Sequence, residues 1–71
     1  MIILNLDTVM KRQGVKLKDL AKEIGLTEAN LSNIKTGKIS AIRFSTLNAL
    51  CEKLKCQPAD ILEYQPNENE K

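Results

Sequence analysis

Lysine and arginine side chains are the most abundant groups in this sequence that could carry chemistry, and they are unevenly distributed. The first 59 of the 71 residues contain ten basic and five acidic side chains, hence a net charge of +5. The remainder contains one basic and four acidic side chains, hence −3, so the whole chain carries +2. A basic body favours a polyanionic partner. The simpler alternative is a lysine-rich face that contacts only water.

The other reactive side chains form no catalytic or metal-binding pattern. The sequence has no histidine and only two cysteines, Cys51 and Cys56, which are too few for a zinc site or a disulfide framework. We expect Cys51 in the core and Cys56 near a helix boundary, since a free cysteine behaves as a small apolar side chain. There is no glycine-rich phosphate loop, and the carboxylates are expected on separate exposed faces. We therefore predict no enzymatic activity and no cofactor.

Length and composition predict one small soluble domain. The chain is 42% hydrophobic and 28% charged, which suits a single packed core. No apolar run approaches the roughly 20 residues that span a bilayer, and the N-terminal sequence MIILNLD lacks the features of a signal peptide. We expect a cytoplasmic protein with a folded domain at residues 1–65 and a polar, disordered tail at 66–71.

The elements that must position the basic residues centre on residues 17–36, LKDLAKEIGLTEANLSNIKT. Apolar residues at helical spacing are interrupted at Gly25, which predicts two short amphipathic helices joined by a tight turn. Ala21 is small enough for the helices to cross closely, and Gly25 can adopt a positive φ at the end of the first helix. Thr27 can cap the second helix. The segment therefore predicts a helix-turn-helix.

The remaining elements lie on either side of this motif. Ile2 and Ile3 favour an N-terminal strand, and Gly14 and Gly37 mark helix ends. The fourth helix is predicted from apolar residues at helical spacing, namely Phe44, Leu47, Leu50, Cys51 and Leu54. In order, the predicted elements are a strand at 1–4, helices from 5 or 6 to 13 and at 17–24, 28–36, 44–54 and 57–62, and a strand at 63–65. The fold class is all-α, with five helices and short terminal strands that pair.

The segment LAKEIGLTEANLSNIKTGK resembles the motif of Cro/C1-type (XRE) helix-turn-helix proteins, the small DNA-binding domains of lambdoid phage repressors and many short bacterial regulators. Ala21, Gly25, five apolar positions and the trailing Gly37-Lys38 agree in register, and Arg43 before the fourth helix supports the match. The resemblance covers about residues 6–62 and implies a five-helix, lambda-repressor-like domain. In some members of the family, terminal strands help to form a dimer.

The resemblance implies that the second helix of the motif lies in the major groove of double-stranded DNA, with its N-terminal residues facing base edges. Asn33 is the first candidate base reader, because an amide can bind adenine N6 and N7 together. Glu28 could accept from cytosine N4, or only complement the helix N-terminus. Ala29 could contact a thymine methyl group and Ser32 a base or phosphate, or they could be a helix former and a solvated hydroxyl. The candidates nearer the DNA backbone are Thr27 and Asn30.

The resemblance also implies phosphate contacts from basic residues around this helix. Lys38 follows the helix directly, and Arg43 opens the fourth helix, whose N-terminal amides could hold an anion. Lys16 and Lys35 are further candidates. Any one of these lysines could instead be an idle solvated side chain.

Two features of the sequence depart from the family pattern. Relatives often have a serine or threonine cap and then a glutamine at the start of the second helix, whereas this chain has Lys16 and Leu17. Either this contact with the DNA backbone is lost, or the backbone amide of Leu17 alone provides it. Relatives also often pair an acid near the end of the recognition helix with a basic residue of the first helix. Lys35 and Met10 occupy those positions here, so we expect no such ion pair.

These features predict a sequence-specific transcriptional regulator, a repressor that occludes a near-palindromic operator as a homodimer. One short recognition helix contacts too few bases to be selective alone, so we expect a dimer. Its two half-sites would lie one helical turn of DNA apart, about 34 Å. The candidate dimer contacts, which could instead only close the core of a monomer, are Ile2, Ile3, Leu62 and Tyr64. The alternative is a protein-interaction module, such as the antitoxin of a toxin–antitoxin pair. DNA affinity that falls steeply with salt favours the regulator, and a stoichiometric complex with another protein favours the module.

Overall fold

Five helices and two short strands follow one another in the computed structural model, which describes residues 1–66. They are β1 (Ile2–Leu4), α1 (Leu6–Gln13), α2 (Leu17–Ile24), α3 (Glu28–Lys35), α4 (Phe44–Leu54), α5 (Pro58–Ile61) and β2 (Leu62–Tyr64). The predicted five-helix fold with paired terminal strands is confirmed. From residue 67 onward, the predicted tail lies outside the described residues. Within 1–66, no helix is long and apolar enough to cross a membrane.

Local signals set the ends of the helices that form the motif. α2 ends at Gly25, whose φ of 76° lies in the left-handed region that favours glycine. α3 begins after Thr27, whose hydroxyl oxygen accepts a hydrogen bond from the Asn30 backbone N–H at 3.0 Å. α3 ends at Lys35, one residue before the predicted end, because Thr36 is its C-cap. The bounds predicted for α2 and α4 agree with the structure.

One apolar core holds the helices together. The buried side chains are Leu6, Val9, Met10, Leu20, Ala21, Leu31, Ile34, Leu47, Leu50, Leu54 and Ile61. Within residues 1–66, none of the buried side chains is polar or charged. Burying one large aliphatic side chain contributes roughly 1.5–3 kcal/mol. The orientation of α3 is therefore fixed by Leu31 and Ile34, and its polar residues are left free to face outward.

Phe44 is an exception to the apolar pattern that predicted α4. Its side chain is 87% exposed, whereas Leu47, Leu50 and Leu54 of the same helix are buried. Phe44 is the first residue of α4 and borders an open surface groove that continues to Leu62. Helical spacing identified the face of α4 that carries apolar residues, but it did not show that the core ends before Phe44.

The two strands form a small antiparallel sheet that joins the ends of the domain. Leu4 pairs with Leu62, Ile3 with Glu63 and Ile2 with Tyr64. β2 begins one residue earlier than predicted, because Leu62 pairs with β1 instead of continuing α5.

Candidate nucleic-acid interface

The outer face of α3 carries the candidate base readers. Leu31 and Ile34 are its buried residues, and Glu28, Ala29, Asn30 and Asn33 are exposed. Thr27, immediately before the helix, is exposed as well, and Ser32 is half-buried. The helix is therefore anchored by its apolar side and presents a largely polar surface of short side chains.

Thr27 and Glu28 organise the N-terminal end of this face. The Thr27 hydroxyl accepts from the Asn30 N–H, which leaves its own O–H free to donate to another acceptor. Glu28 is the acidic residue of the first turn of α3, where a carboxylate complements the helix dipole.

A cleft beside α3 brings together residues from two separate elements. Its polar lining includes Asn30 and Asn33 of α3 together with Arg43 and Thr46 at the start of α4. Ile34 is among the apolar residues behind them, and the cleft has a volume of about 430 Å³. Two amides and a guanidinium thus share one concave surface, a combination that can donate to base edges and to phosphate oxygens.

The backbone after α3 fixes Lys38 relative to this cleft. Gly37 has a φ of 76°, and the Lys38 N–H donates to the Asn33 carbonyl oxygen at 2.8 Å. This 6→1 hydrogen bond is typical of the turn that closes a helix C-terminus. Lys38 is exposed, and its backbone is hydrogen-bonded to Asn33, the first candidate base reader.

The N-terminus of α4 differs from those of the other four helices in residues 1–66. The first turns of α1, α2, α3 and α5 each contain an acidic residue, and that of α4 contains none. Its N-cap is Arg43, which makes no side-chain capping hydrogen bond. The first backbone N–H groups of α4 therefore retain their positive partial charge next to an exposed guanidinium.

The N-terminus of α2 matches the departure expected from the sequence. Lys16 is its N-cap and makes no side-chain capping hydrogen bond. The Leu17 side chain is half-buried against the core, so only its backbone is free to make a polar contact. The first turn of α2 also contains Asp19, which partly offsets the positive end of this helix.

Lys35 makes an ion pair that the sequence did not predict. Its Nζ lies 3.6 Å from the Oδ1 of Asp7 on α1, and Lys11 Nζ lies 3.1 Å from the Oδ2 of the same carboxylate. The hydrogen bond from Lys11, together with the charges of Lys11 and Lys35, holds the pKa of Asp7 below its ordinary value. The family-type pair with Met10 is absent, as expected, but an acid one turn earlier in α1 joins α1 to α3 instead. Asp7 is the residue of this region that sequence reasoning missed.

The candidate dimer contacts lie on the two-stranded sheet. Ile2 and Tyr64 are paired across the strands and each is 63% exposed. Ile3 and Leu62 are half-buried. Ile2 and Tyr64 together form an exposed apolar patch, whereas Leu62 packs against the core.

Two comparisons match the sequence of this chain to known proteins. The family model described as the Cro/C1-type HTH DNA-binding domain matches residues 5–67. The chain is 47% identical over 68 residues to the uncharacterized HTH-type transcriptional regulator YozG of Bacillus subtilis (strain 168), which covers 96% of this chain and 81% of that protein.

The fold is also similar to a crystal structure of a proposed DNA-binding protein from Bacteroides fragilis. The TM-score is 0.80, and the match covers 89% of this chain and 100% of the other. The sequence identity is 21%, so this likeness concerns the fold alone.

Proposed function

The chain belongs to the Cro/C1-type helix-turn-helix DNA-binding family, and from this we propose that it is a sequence-specific transcriptional regulator that represses by occluding its operator. The observation that carries the proposal is the cleft that Asn30 and Asn33 of α3 share with Arg43 of α4. A helix that enters the major groove needs base-reading groups on its outer face and phosphate-binding groups beside it. The cleft supplies both on one surface.

Asn33 is the principal base reader in this proposal. It is exposed, and a bidentate contact of an asparagine with adenine is worth roughly 1–3 kcal/mol of discrimination. Ala29 and Glu28 contact neighbouring base pairs from the first turn, through a thymine methyl group and a cytosine amino group. Ser32 is half-buried, which restricts it to a peripheral contact.

Phosphate contacts hold the helix in register. Arg43 and the free amides at the start of α4 bind one phosphate, and Lys38 binds another beyond the end of α3. Lys16 and the Leu17 amide contribute at the start of α2. Lys35 is the exception among the candidates, because its ammonium group is already next to the Asp7 carboxylate.

The regulator binds as a symmetric dimer to a near-palindromic site with half-sites about 34 Å apart. A two-fold interface requires the same patch from both subunits. The exposed pair Ile2 and Tyr64, with the half-buried Leu62 on the same face of the sheet, supports this surface as the contact, whereas Ile3 lies on the opposite face.

The first experiment is selection of binding sites from a random-sequence duplex pool at two salt concentrations. Wild type is compared with Asn33→Ala and with a matched control, Asn48→Ala, which removes an exposed asparagine from a groove of α4 that contains no α3 residue. We expect an inverted-repeat motif for wild type and Asn48→Ala, and loss of preference at one position of each half-site for Asn33→Ala.

Weak binding of wild type without sequence preference would refute the proposal. The alternative, a protein-interaction module of the antitoxin type, would then be the function to test. The measurement is sedimentation of the chain with candidate partners, in which a stoichiometric complex supports that alternative.

A further inference from the structure

The end of α4 brings the two cysteines of the chain together. Cys51 lies in the last turns of α4 and Cys56 lies just beyond its end. Lys55, between them, has a φ of 51°, and the N–H of Cys56 donates to the carbonyl oxygen of Cys51 at 3.1 Å. In this type of helix ending, a contact between the side chains at the two ends of the 6→1 hydrogen bond is common.

Both thiols are free and reachable from solvent. Each cysteine is half-buried, and both line the open groove that also contains Pro58 and Leu62. Burial first, and the neighbouring Cys51 thiol next, raise the pKa of the Cys56 thiol. Both thiols therefore line the same open groove, which a small molecule can enter.

We propose that Cys51 and Cys56 are a dithiol site that small-molecule disulfides, such as glutathione disulfide, convert to an intramolecular disulfide. Nothing in the DNA-binding function requires this site. Because a backbone hydrogen bond already joins the two residues across the helix ending, the cross-link forms without separating α4 from α5, and a disulfide needs such close backbones.

The reaction is two successive thiol–disulfide exchanges. The thiolate of Cys51 attacks one sulphur of glutathione disulfide, the S–S bond breaks, and one glutathione leaves as a thiolate. The sulphur of Cys56, after losing its proton, attacks the sulphur of Cys51 and displaces the second glutathione. One protein disulfide forms, one glutathione disulfide is reduced to two glutathione molecules, and two electrons pass from the protein thiols to the glutathione sulphurs.

The bond would cross-link the end of α4 to the segment that leads into α5 and β2. That segment ends in Leu62 and Tyr64, which lie beyond the four-residue helix α5. The oxidised form would thus close a loop from the last turns of α4 to the residue two positions before α5.

The test is equilibration of the purified full chain in glutathione redox buffers, followed by acid quench and intact-mass measurement. We expect the wild type to lose two hydrogen atoms, without dimer formation, and Cys51→Ser and Cys56→Ser each to stop at the mixed disulfide with glutathione. The matched control is the double variant Cys56→Ser/Gln57→Cys, which keeps two thiols but moves one of them along the chain. We expect its intramolecular disulfide to be at least about tenfold less stable against glutathione.

Three results would overturn the proposal. In the first, the wild type stops at mixed disulfides in all buffers. In the second, the wild type forms only disulfides between chains. In the third, the disulfide of the Cys56→Ser/Gln57→Cys variant is as stable as that of the wild type. The first two use only the wild-type chain, so they decide the matter even where a variant fails to fold, which circular dichroism would report.

Discussion

Arg43→Gln and Lys35→Gln remove the same charge from neighbouring parts of the proposed DNA-binding surface, yet we expect them to affect DNA binding differently. Arg43 occupies the N-cap position of α4, and its exposed side chain makes no hydrogen bond to the helix N-terminus. Lys35 lies 3.6 Å from the Asp7 carboxylate. Arg43 is therefore available to neutralise a phosphate, whereas Lys35 is held towards α1 by the Asp7 carboxylate, which it shares with Lys11.

The size of the difference follows from counterion release. Each neutralised phosphate contributes about −0.9 to the slope of log K against log salt. If the protein binds as the proposed dimer, Arg43→Gln removes one contact from each subunit, so the slope should become less steep by about 1.8. Between about 50 and 200 mM salt, wild type should then lose roughly tenfold more affinity than Arg43→Gln loses. Lys35→Gln should flatten the slope less than Arg43→Gln does, because the Lys35 ammonium group lies beside the Asp7 carboxylate.

The assay is fluorescence anisotropy with a labelled duplex across this range of salt concentration. Lys53→Gln is the matched control, because Lys53 is an exposed lysine of α4 ten residues from Arg43, which places it about 15 Å along the helix. If Lys35→Gln made the salt-dependence slope less steep by as much as Arg43→Gln does, the ion pair with Asp7 would not keep Lys35 from the DNA, and the reasoning would be refuted. An equal flattening by Lys53→Gln would show that the slope reports total charge and not a located contact.

Other predictions concern stability and can be checked by urea unfolding. Thr27→Ala removes the cap of α3 and should lower the free energy of unfolding by about 1 kcal/mol. Leu50→Ala, at a fully buried position, should lower it by about 2–5 kcal/mol. Lys55→Gly should raise it by about 1 kcal/mol, because Lys55 has a left-handed backbone that strains a residue with a Cβ; a decrease would contradict this reason. Asp7→Asn should be less stable than wild type at neutral pH. The hydrogen bond and charge of Lys11 hold the pKa of Asp7 below its ordinary value, so its stabilising effect is present above about pH 4 and is lost as pH falls through the lowered pKa. A difference that did not shrink as pH falls below about 4 would contradict this origin.

The sequence by itself determined the helices and the turn between α2 and α3. Gly25 ends α2 and Thr27 caps α3 at the predicted positions, because these effects depend on the backbone within one or two residues. The amphipathic spacing of α2 and α4 gave their bounds, since a helix must bury its apolar face whatever lies opposite. The polar outer face of α3 followed from the same spacing.

Only the tertiary structure decided which elements meet. Asp7 and Lys35 are far apart in the chain and form an ion pair because α1 packs beside the end of α3. Asn33 and Arg43 share a cleft because α4 starts next to α3, and Leu62 joins β2 because Leu4 lies opposite it. Apolar periodicity identifies the face that a helix buries, but it does not identify the neighbour against which that face packs. The relative placement of helices, and with it the arrangement of charges and amides on the candidate DNA-binding surface, therefore depends on how the whole core is filled.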